Sequence, residues 1–220
     1  MMKFKLILLF VLATAGISAR AQKGFPFDNE IREFKHQDSI AFPPKKGILF
    51  IGSSSIRKWT DLEQRFSTLP IIRRGVGGCT LEQLVDYYTP YILLPYQPRK
   101  VFIYAGENDI ASGKTGVFVA QEFVKLWRIL EKKLPKAEIY FMSIKPSPSR
   151  AQYFDQVRAA NRLIKIFLLS RGNGHFVDVS TTILDQQTAQ PNPLLFESDM
   201  LHLNSKGYDR WQAVLQPLVK

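Results

Sequence analysis

The sequence predicts an α/β fold of the doubly wound type, in which a five-stranded parallel sheet lies between two layers of helices. Three observations support this prediction. Five short apolar runs, most of them bounded by glycine or proline, are typical of strands buried on both faces. Helical patterns alternate with these runs, as in parallel α/β sheets. Small and polar residues follow the runs, where such sheets bind their ligands.

Each predicted element rests on its own pattern. The predicted strands comprise residues 48–51, 71–72, 101–105, 138–144 and 176–179. The predicted helices comprise residues 28–38, 80–94, 123–134, 157–168 and 205–218. The third helix has the clearest spacing, because its apolar residues recur at i, i+3, i+4, i+7 and i+11. No repeat or interior linker interrupts the pattern, so we expect residues 22–220 to form a single domain.

Residues 1–21 are typical of a secretory signal peptide. Two lysines precede an apolar run, and the segment ends in Ala-Arg-Ala, a small-residue cleavage site. We therefore expect cleavage between Ala21 and Gln22 and export to the periplasm or the medium. The apolar run is shorter than the roughly 20 residues that cross a bilayer. Gln22 is not a cysteine that could carry a lipid, so we predict no stable membrane anchor. The alternatives are a buried N-terminal helix and an uncleaved anchor.

The net charge of +11 is the one unusual total of this 220-residue sequence. Removal of Lys3, Lys5 and Arg20 with the signal peptide would leave 27 basic (30 − 3) and 19 acidic residues, a charge of +8. The basic residues occur in scattered pairs, which is typical of solvated surface and not of a nucleic-acid groove. The single cysteine excludes an internal disulfide and a cysteine-cluster metal site. We predict no nucleic-acid partner, no metal and no cofactor.

Four motifs carry candidate functional residues, and three of them follow predicted strands. Ser54 lies in Gly-Ser-Ser-Ser, Gly78 in Gly-Val-Gly-Gly, and Asn108 in Gly-Glu-Asn-Asp. Each of these alone is also what a helix cap or a turn requires. The fourth motif is Asp199-x-x-His202, whose two side chains share a face if the segment is a helical turn. A carboxylate that orients an imidazole makes it a useful base.

The order and spacing of the four motifs resemble the SGNH (GDSL-type) hydrolase family over residues 47–218. The resemblance implies a three-layer αβα sandwich, the flavodoxin-like SGNH hydrolase fold. It implies that Ser54 is a nucleophile and that Asp199 and His202 complete a catalytic triad. It also implies an oxyanion hole formed by the backbone N–H groups of Ser54 and Gly78 and by the side-chain amide of Asn108.

One departure from the family pattern and two further features accompany the resemblance. The first block of the family usually reads Gly-Asp-Ser, whereas here Ser53 stands in place of the aspartate. This change removes no triad member and resembles a known subgroup. Cys79 follows the proposed oxyanion residue and is interpreted as a small packed side chain and not as a nucleophile. Segment 141–149, Phe-Met-Ser-Ile-Lys-Pro-Ser-Pro-Ser, resembles a loop common in family members that hydrolyse small esters.

The resemblance implies an exported serine esterase that acts through an acyl-enzyme, with short acyl esters such as acetyl groups on carbohydrate as the expected substrates. A lysophospholipase or thioesterase is an alternative that the family also allows, and the positive charge could attract anionic headgroups. A non-catalytic glycan-binding protein on the same scaffold is a third, because a fold does not determine a function. Specificity would depend on the loops at 110–117, 145–153 and 180–197.

Overall fold

The computed structural model describes residues 26–220, with residue 92 described by its backbone alone. The predicted signal peptide lies outside these residues. The described residues contain a five-stranded sheet in which every strand pair is parallel, with the order β2-β1-β3-β4-β5. The strands are β1 (Ile48–Gly52), β2 (Ile71–Gly75), β3 (Lys100–Tyr104), β4 (Glu138–Met142) and β5 (Gly174–Val177). The predicted fold class is confirmed.

Helices cover both faces of the sheet. In chain order they are α1 (Asp28–Ile40), α2 (Ser54–Arg57), α3 (Leu62–Arg65), α4 (Leu81–Gln83), α5 (Glu107–Ala111), α6 (Gly116–Lys133), α7 (Phe154–Leu168) and α8 (Ser205–Leu215). A π-helix (Leu84–Leu93) continues α4, and 3₁₀ turns occur at Leu94–Tyr96, Pro148–Tyr153, Thr181–Ile183 and Pro193–Leu195. Helices α1, α6 and α7 pack with the π-helix on one face, and α2 and α8 pack on the other.

The strands supply side chains to an apolar layer on each face. On β1, Leu49 and Ile51 join the layer beneath α6 and α7, whereas Ile48 and Phe50 join the opposite layer. All four side chains are fully buried. This two-sided burial explains why the strand is a continuous apolar run and does not alternate with polar residues.

Segment 80–94 is not the regular helix that its pattern predicts. After one short turn of α-helix it becomes the π-helix, which contains Pro90. Proline has no N–H to donate to the preceding turn. Thr89 Oγ1 instead donates to the carbonyl oxygen of Leu84 at 2.7 Å, five residues earlier. The wider π turn accommodates these changes in the hydrogen-bond ladder.

Every strand differs in extent from its prediction. β1 and β3 differ by one residue, β4 ends at Met142 and not at residue 144, and the largest differences are in β2 and β5. β2 continues through a charged pair to Gly75, and Arg74 is tolerated there because its guanidinium lies 2.5 Å from the carboxylate of Asp38 in α1. β5 begins at Gly174, two residues before its predicted start, and ends at Val177, two residues before its predicted end. It ends there because Asp178 accepts hydrogen bonds from the backbone of the following turn. Neither local pairing is visible as a pattern of apolar residues.

The strand order determines where loops can form a site. The order reverses direction between β1 and β3, and ligands of such sheets bind at the carboxyl ends of the strands beside this point. The connections after β1, β2 and β3 are therefore neighbours at one edge of the sheet. Within residues 26–220, no helix combines the length and apolar character needed to cross a membrane.

Candidate active site

Ser54 is placed by the sharp connection between β1 and α2. Gly52 ends the strand with a φ of 139°, and a Cβ there would lie 1.8 Å from the carbonyl oxygen of Tyr104, so only glycine fits. The N–H of Ser53 donates to the same carbonyl at 3.0 Å, which holds the chain beside β3. Ser54 then begins α2, so its backbone N–H has no acceptor within that helix.

Asp199 and His202 approach Ser54 on a turn that lies outside any helix, before α8. Asp199 Oδ1 accepts the backbone N–H groups of Leu201 at 3.0 Å and His202 at 2.9 Å, which closes the turn. Asp199 Oδ2 lies 2.6 Å from His202 Nδ1, and His202 Nε2 lies 2.8 Å from Ser54 Oγ. The three side chains form one continuous hydrogen-bonded series.

The electrostatics of this series favour an ionised Asp199. Burial alone would raise the pKa of its carboxyl group, but hydrogen bonds from the side chain and backbone of His202 and from Leu201 hold that pKa far below its ordinary value. Lys58, at the end of α2, places its Nζ 3.6 Å from Asp199 Oδ2 and 3.2 Å from His202 Nδ1. A carboxylate that stays ionised can support a positive charge on the imidazole.

The turn after β2 brings Gly78 to the same edge of the sheet. Gly78 has a φ of 78°, and a Cβ at this position would meet no atom within 4 Å, so the residue faces open space. Cys79 beside it is fully buried, and its Sγ donates to the Gly52 carbonyl at 3.4 Å. Burial raises the pKa of this thiol far above its ordinary value. Cys79 is therefore a packed thiol and not a thiolate nucleophile.

Asn108 connects the end of β3 to this turn. Its Nδ2 donates to the Cys79 carbonyl at 3.0 Å, and its Oδ1 accepts from Arg150 Nη2 at 3.1 Å. A primary amide nitrogen carries two hydrogens, so one remains for another acceptor. The structure therefore joins Ser54, His202 and Asp199 by hydrogen bonds, and it links Asn108 to the turn that carries Gly78.

A known protein family covers most of the chain. The profile of the GDSL-like Lipase/Acylhydrolase family matches residues 38–210, a range that contains every residue of the site. The chain belongs to this family. Membership supports a hydrolase or esterase activity.

Solved structures resemble the GDSL-type chain over most of its length. A Streptococcus pneumoniae protein provisionally described as a platelet activating factor has a TM-score of 0.76 and 22% identity, covering 88% of this chain and 92% of its own. A GDSL-like lipase from Bacteroides thetaiotaomicron has a TM-score of 0.71 and 19% identity, covering 86% and 96%. A carbohydrate esterase family 3 structure from Talaromyces cellulolyticus has a TM-score of 0.63 and 14% identity, covering 78% and 95%.

These similarities support the fold alone, because all three sequence identities are below 25%. None of the curated proteins compared with the chain matches it significantly. Membership of the GDSL family therefore rests on the profile match, and the solved structures support the α/β architecture.

Three residues at the site of this GDSL-type chain are not indicated by the four motifs. Lys58 contacts the Asp–His pair from the end of α2, Arg150 contacts the Asn108 amide, and Ser149 contacts the turn that carries His202. Lys58 follows Ser54 by one helical turn, a spacing that could have drawn attention to it. Ser149 and Arg150 lie in the predicted specificity loop 145–153, but no spacing in the sequence links them to their partners, which lie more than 40 positions away.

Proposed function

We propose that this GDSL-family chain is an exported serine esterase that hydrolyses short-chain carboxylic esters, with acetyl esters on carbohydrate as its substrate class. The observation that carries the proposal is the series from Ser54 Oγ to His202 Nε2 at 2.8 Å and from His202 Nδ1 to Asp199 Oδ2 at 2.6 Å. A hydroxyl, a base and a carboxylate in this order form an activated nucleophile.

The reaction proceeds in two halves. Ser54 Oγ attacks the ester carbonyl carbon while His202 Nε2 takes the hydroxyl proton, and the carbonyl oxygen becomes an oxyanion. Collapse of this intermediate breaks the bond to the alcohol, which leaves with the proton from His202. Water then attacks the acyl-Ser54 ester with His202 again as base, and the acid and free Ser54 are released. Asp199 remains ionised and supports the transient imidazolium.

The oxyanion is held by donors from three strand ends. The backbone N–H of Ser54 follows β1, that of Gly78 follows β2, and the side-chain N–H₂ of Asn108 follows β3. Hydrogen-bond donors fixed before the reaction stabilise charge that develops only in the transition state, and the loss of one typically costs about 10²–10³ in kcat.

The acyl and alcohol parts of the substrate are supported more indirectly. The family includes lipases and acylhydrolases, and one protein of similar structure is a carbohydrate esterase. Acetyl esters on sugars are consistent with both. For export, we expect the secreted protein to begin at Gln22, which N-terminal sequencing would test; an intact Met1 would oppose it.

The proposal is tested by a series of p-nitrophenyl esters from acetyl to palmitoyl, together with acetylated oligosaccharides. We expect the highest kcat/KM for acetyl or other short acyl groups, and we expect Ser54→Ala to abolish hydrolysis. Ser170→Ala is the matched control, because that exposed serine lies just beyond the end of α7. Activity that survives Ser54→Ala would overturn the assignment. A preference for long acyl chains would favour the lysophospholipase alternative.

A further inference from the structure

The loop after β4 contacts both halves of the proposed site. At its end, Arg150 Nη2 donates to Asn108 Oδ1 at 3.1 Å, and Arg150 Nη1 donates to the backbone carbonyl of Glu107 at 3.2 Å. One residue earlier, Ser149 donates to the Met200 carbonyl from both its N–H, at 3.1 Å, and its hydroxyl, at 2.9 Å. Met200 lies inside the turn from Asp199 to His202.

The contact with Arg150 determines which way the Asn108 amide points. A guanidinium has only donors, so it donates to the amide oxygen and repels the N–H₂ group of the amide. On the other side, the Cys79 carbonyl has only lone pairs and requires the nitrogen. A flipped amide would place donor against donor and acceptor against acceptor. The two contacts therefore select one orientation and leave a single N–H of Asn108 for the substrate oxygen.

Arg150 is itself held by a buried polar cluster. The Glu107 carboxylate accepts Lys145 Nζ at 2.8 and 3.0 Å and the Ser147 hydroxyl at 2.8 Å, and it lies 3.7 Å from Arg150 Nη1. Burial alone would raise the pKa of Glu107, but these cations and the hydroxyl hold it below its ordinary value. The negative charge on Glu107 therefore holds Arg150 beside Asn108, the next residue in the chain.

We propose that Arg150 is a positioning residue of the oxyanion hole, which orients the Asn108 amide and polarises its free N–H towards the developing charge. This proposal rests on the esterase function proposed above. It assigns no bond-making step to Arg150, since its guanidinium acts through the amide. Positioning of this kind stabilises the transition state more than the bound substrate, so its loss should lower kcat more than it alters KM.

The test is a double-mutant cycle on the best substrate of the ester series. We expect Arg150→Met to lower kcat about 10- to 100-fold with KM changed by less than about threefold. We expect Asn108→Ala to lower kcat about 10²–10³-fold. If Arg150 acts through Asn108, the double variant will be no slower than Asn108→Ala within about twofold. Arg150→Lys keeps the charge but not the paired donors and should lie between wild type and Arg150→Met.

Two controls keep the outcomes distinct. Arg158→Met removes an exposed arginine of α7 that pairs with Asp155, and it should leave kcat unchanged. Thermal unfolding shows whether Arg150→Met is folded, and Arg150→Lys replaces it in the cycle if it is not. Losses that multiply in the double variant, or an unchanged kcat in the single one, would overturn the positioning role. Retained activity in Ser54→Ala would instead overturn the esterase function itself.

Discussion

The two oxygens of the Asp199 carboxylate have separate tasks. Oδ1 accepts two backbone N–H groups and closes the turn, whereas Oδ2 accepts the imidazole at 2.6 Å. The Asp199 side chain therefore stabilises the backbone turn and also orients the His202 imidazole. The hydrogen bonds that depress the pKa of Asp199 also keep it ionised throughout the neutral range, so its charge is present whenever His202 works as a base.

Asp199→Asn should lower kcat by about 10²–10⁴-fold on a short ester. The amide oxygen can still accept the backbone bonds of the turn, but the amide nitrogen can donate to the imidazole and favour the wrong tautomer. Steady-state kinetics and thermal unfolding would be measured together. Asp185→Asn is the matched control, because Asp185 likewise accepts backbone N–H groups in an exposed turn. An Asp199→Asn enzyme within threefold of wild type would contradict the proposed role.

Among the elements, the connection from β1 to α2 has the strictest geometry. Gly52 lies against the backbone of β3, and the positive φ lets the chain turn from the strand to Ser54 without a side chain in the way. The position of Ser54 thus depends on Gly52, a residue that has no side chain.

Gly52→Ala should destabilise the fold by about 3 kcal/mol or more, because the new Cβ would overlap the Tyr104 carbonyl in addition to a strained φ. Gly113→Ala isolates the second effect, since Gly113 has a φ of 92° but open space around it. For Gly113→Ala we expect the free energy of unfolding to fall by only about 1 kcal/mol. Urea unfolding would measure both. Equal losses in the two variants would show that the close approach to β3 does not matter.

The elements also show what could be predicted from the sequence. Strands buried on both faces are continuous apolar runs, so β1, β3 and β4 were predictable, and Ser54 and Asn108 come shortly after β1 and β3. The end of β2 was not predictable, because the charge of Arg74 is balanced there by Asp38 in α1, which is distant in the sequence. The π-helix depends on how Thr89 and Pro90 rearrange the hydrogen bonds. Arg150 reaches Asn108 only through the folded chain, so no spacing indicates it.

At the scale of the whole molecule, the basic residues are dispersed and partly paired. Arg73 lies 3.2 Å from Glu63, and Arg74 is paired with Asp38 beneath α1. Lys132 and Lys133 end α6, on the other side of the sheet from α2. Charge arranged in this way suits a solvated surface better than a continuous groove for a polyanion.

The site also depends on the entire fold. Ser54 and His202 are 148 positions apart, and they meet only when β1 and the segment before α8 occupy their places at the sheet. The reactivity of Ser54 should therefore appear and disappear with the global fold.

Covalent labelling with a fluorophosphonate tests the central claim most directly. Ser54 Oγ would displace fluoride and form a stable phosphonyl ester, which peptide mass spectrometry can locate. We predict one adduct, on Ser54, in the native protein. Labelling should slow at least about 100-fold in His202→Ala and vanish in denaturing urea. Ester hydrolysis by a protein whose Ser54 stays unlabelled, or an adduct on another residue, would contradict the account.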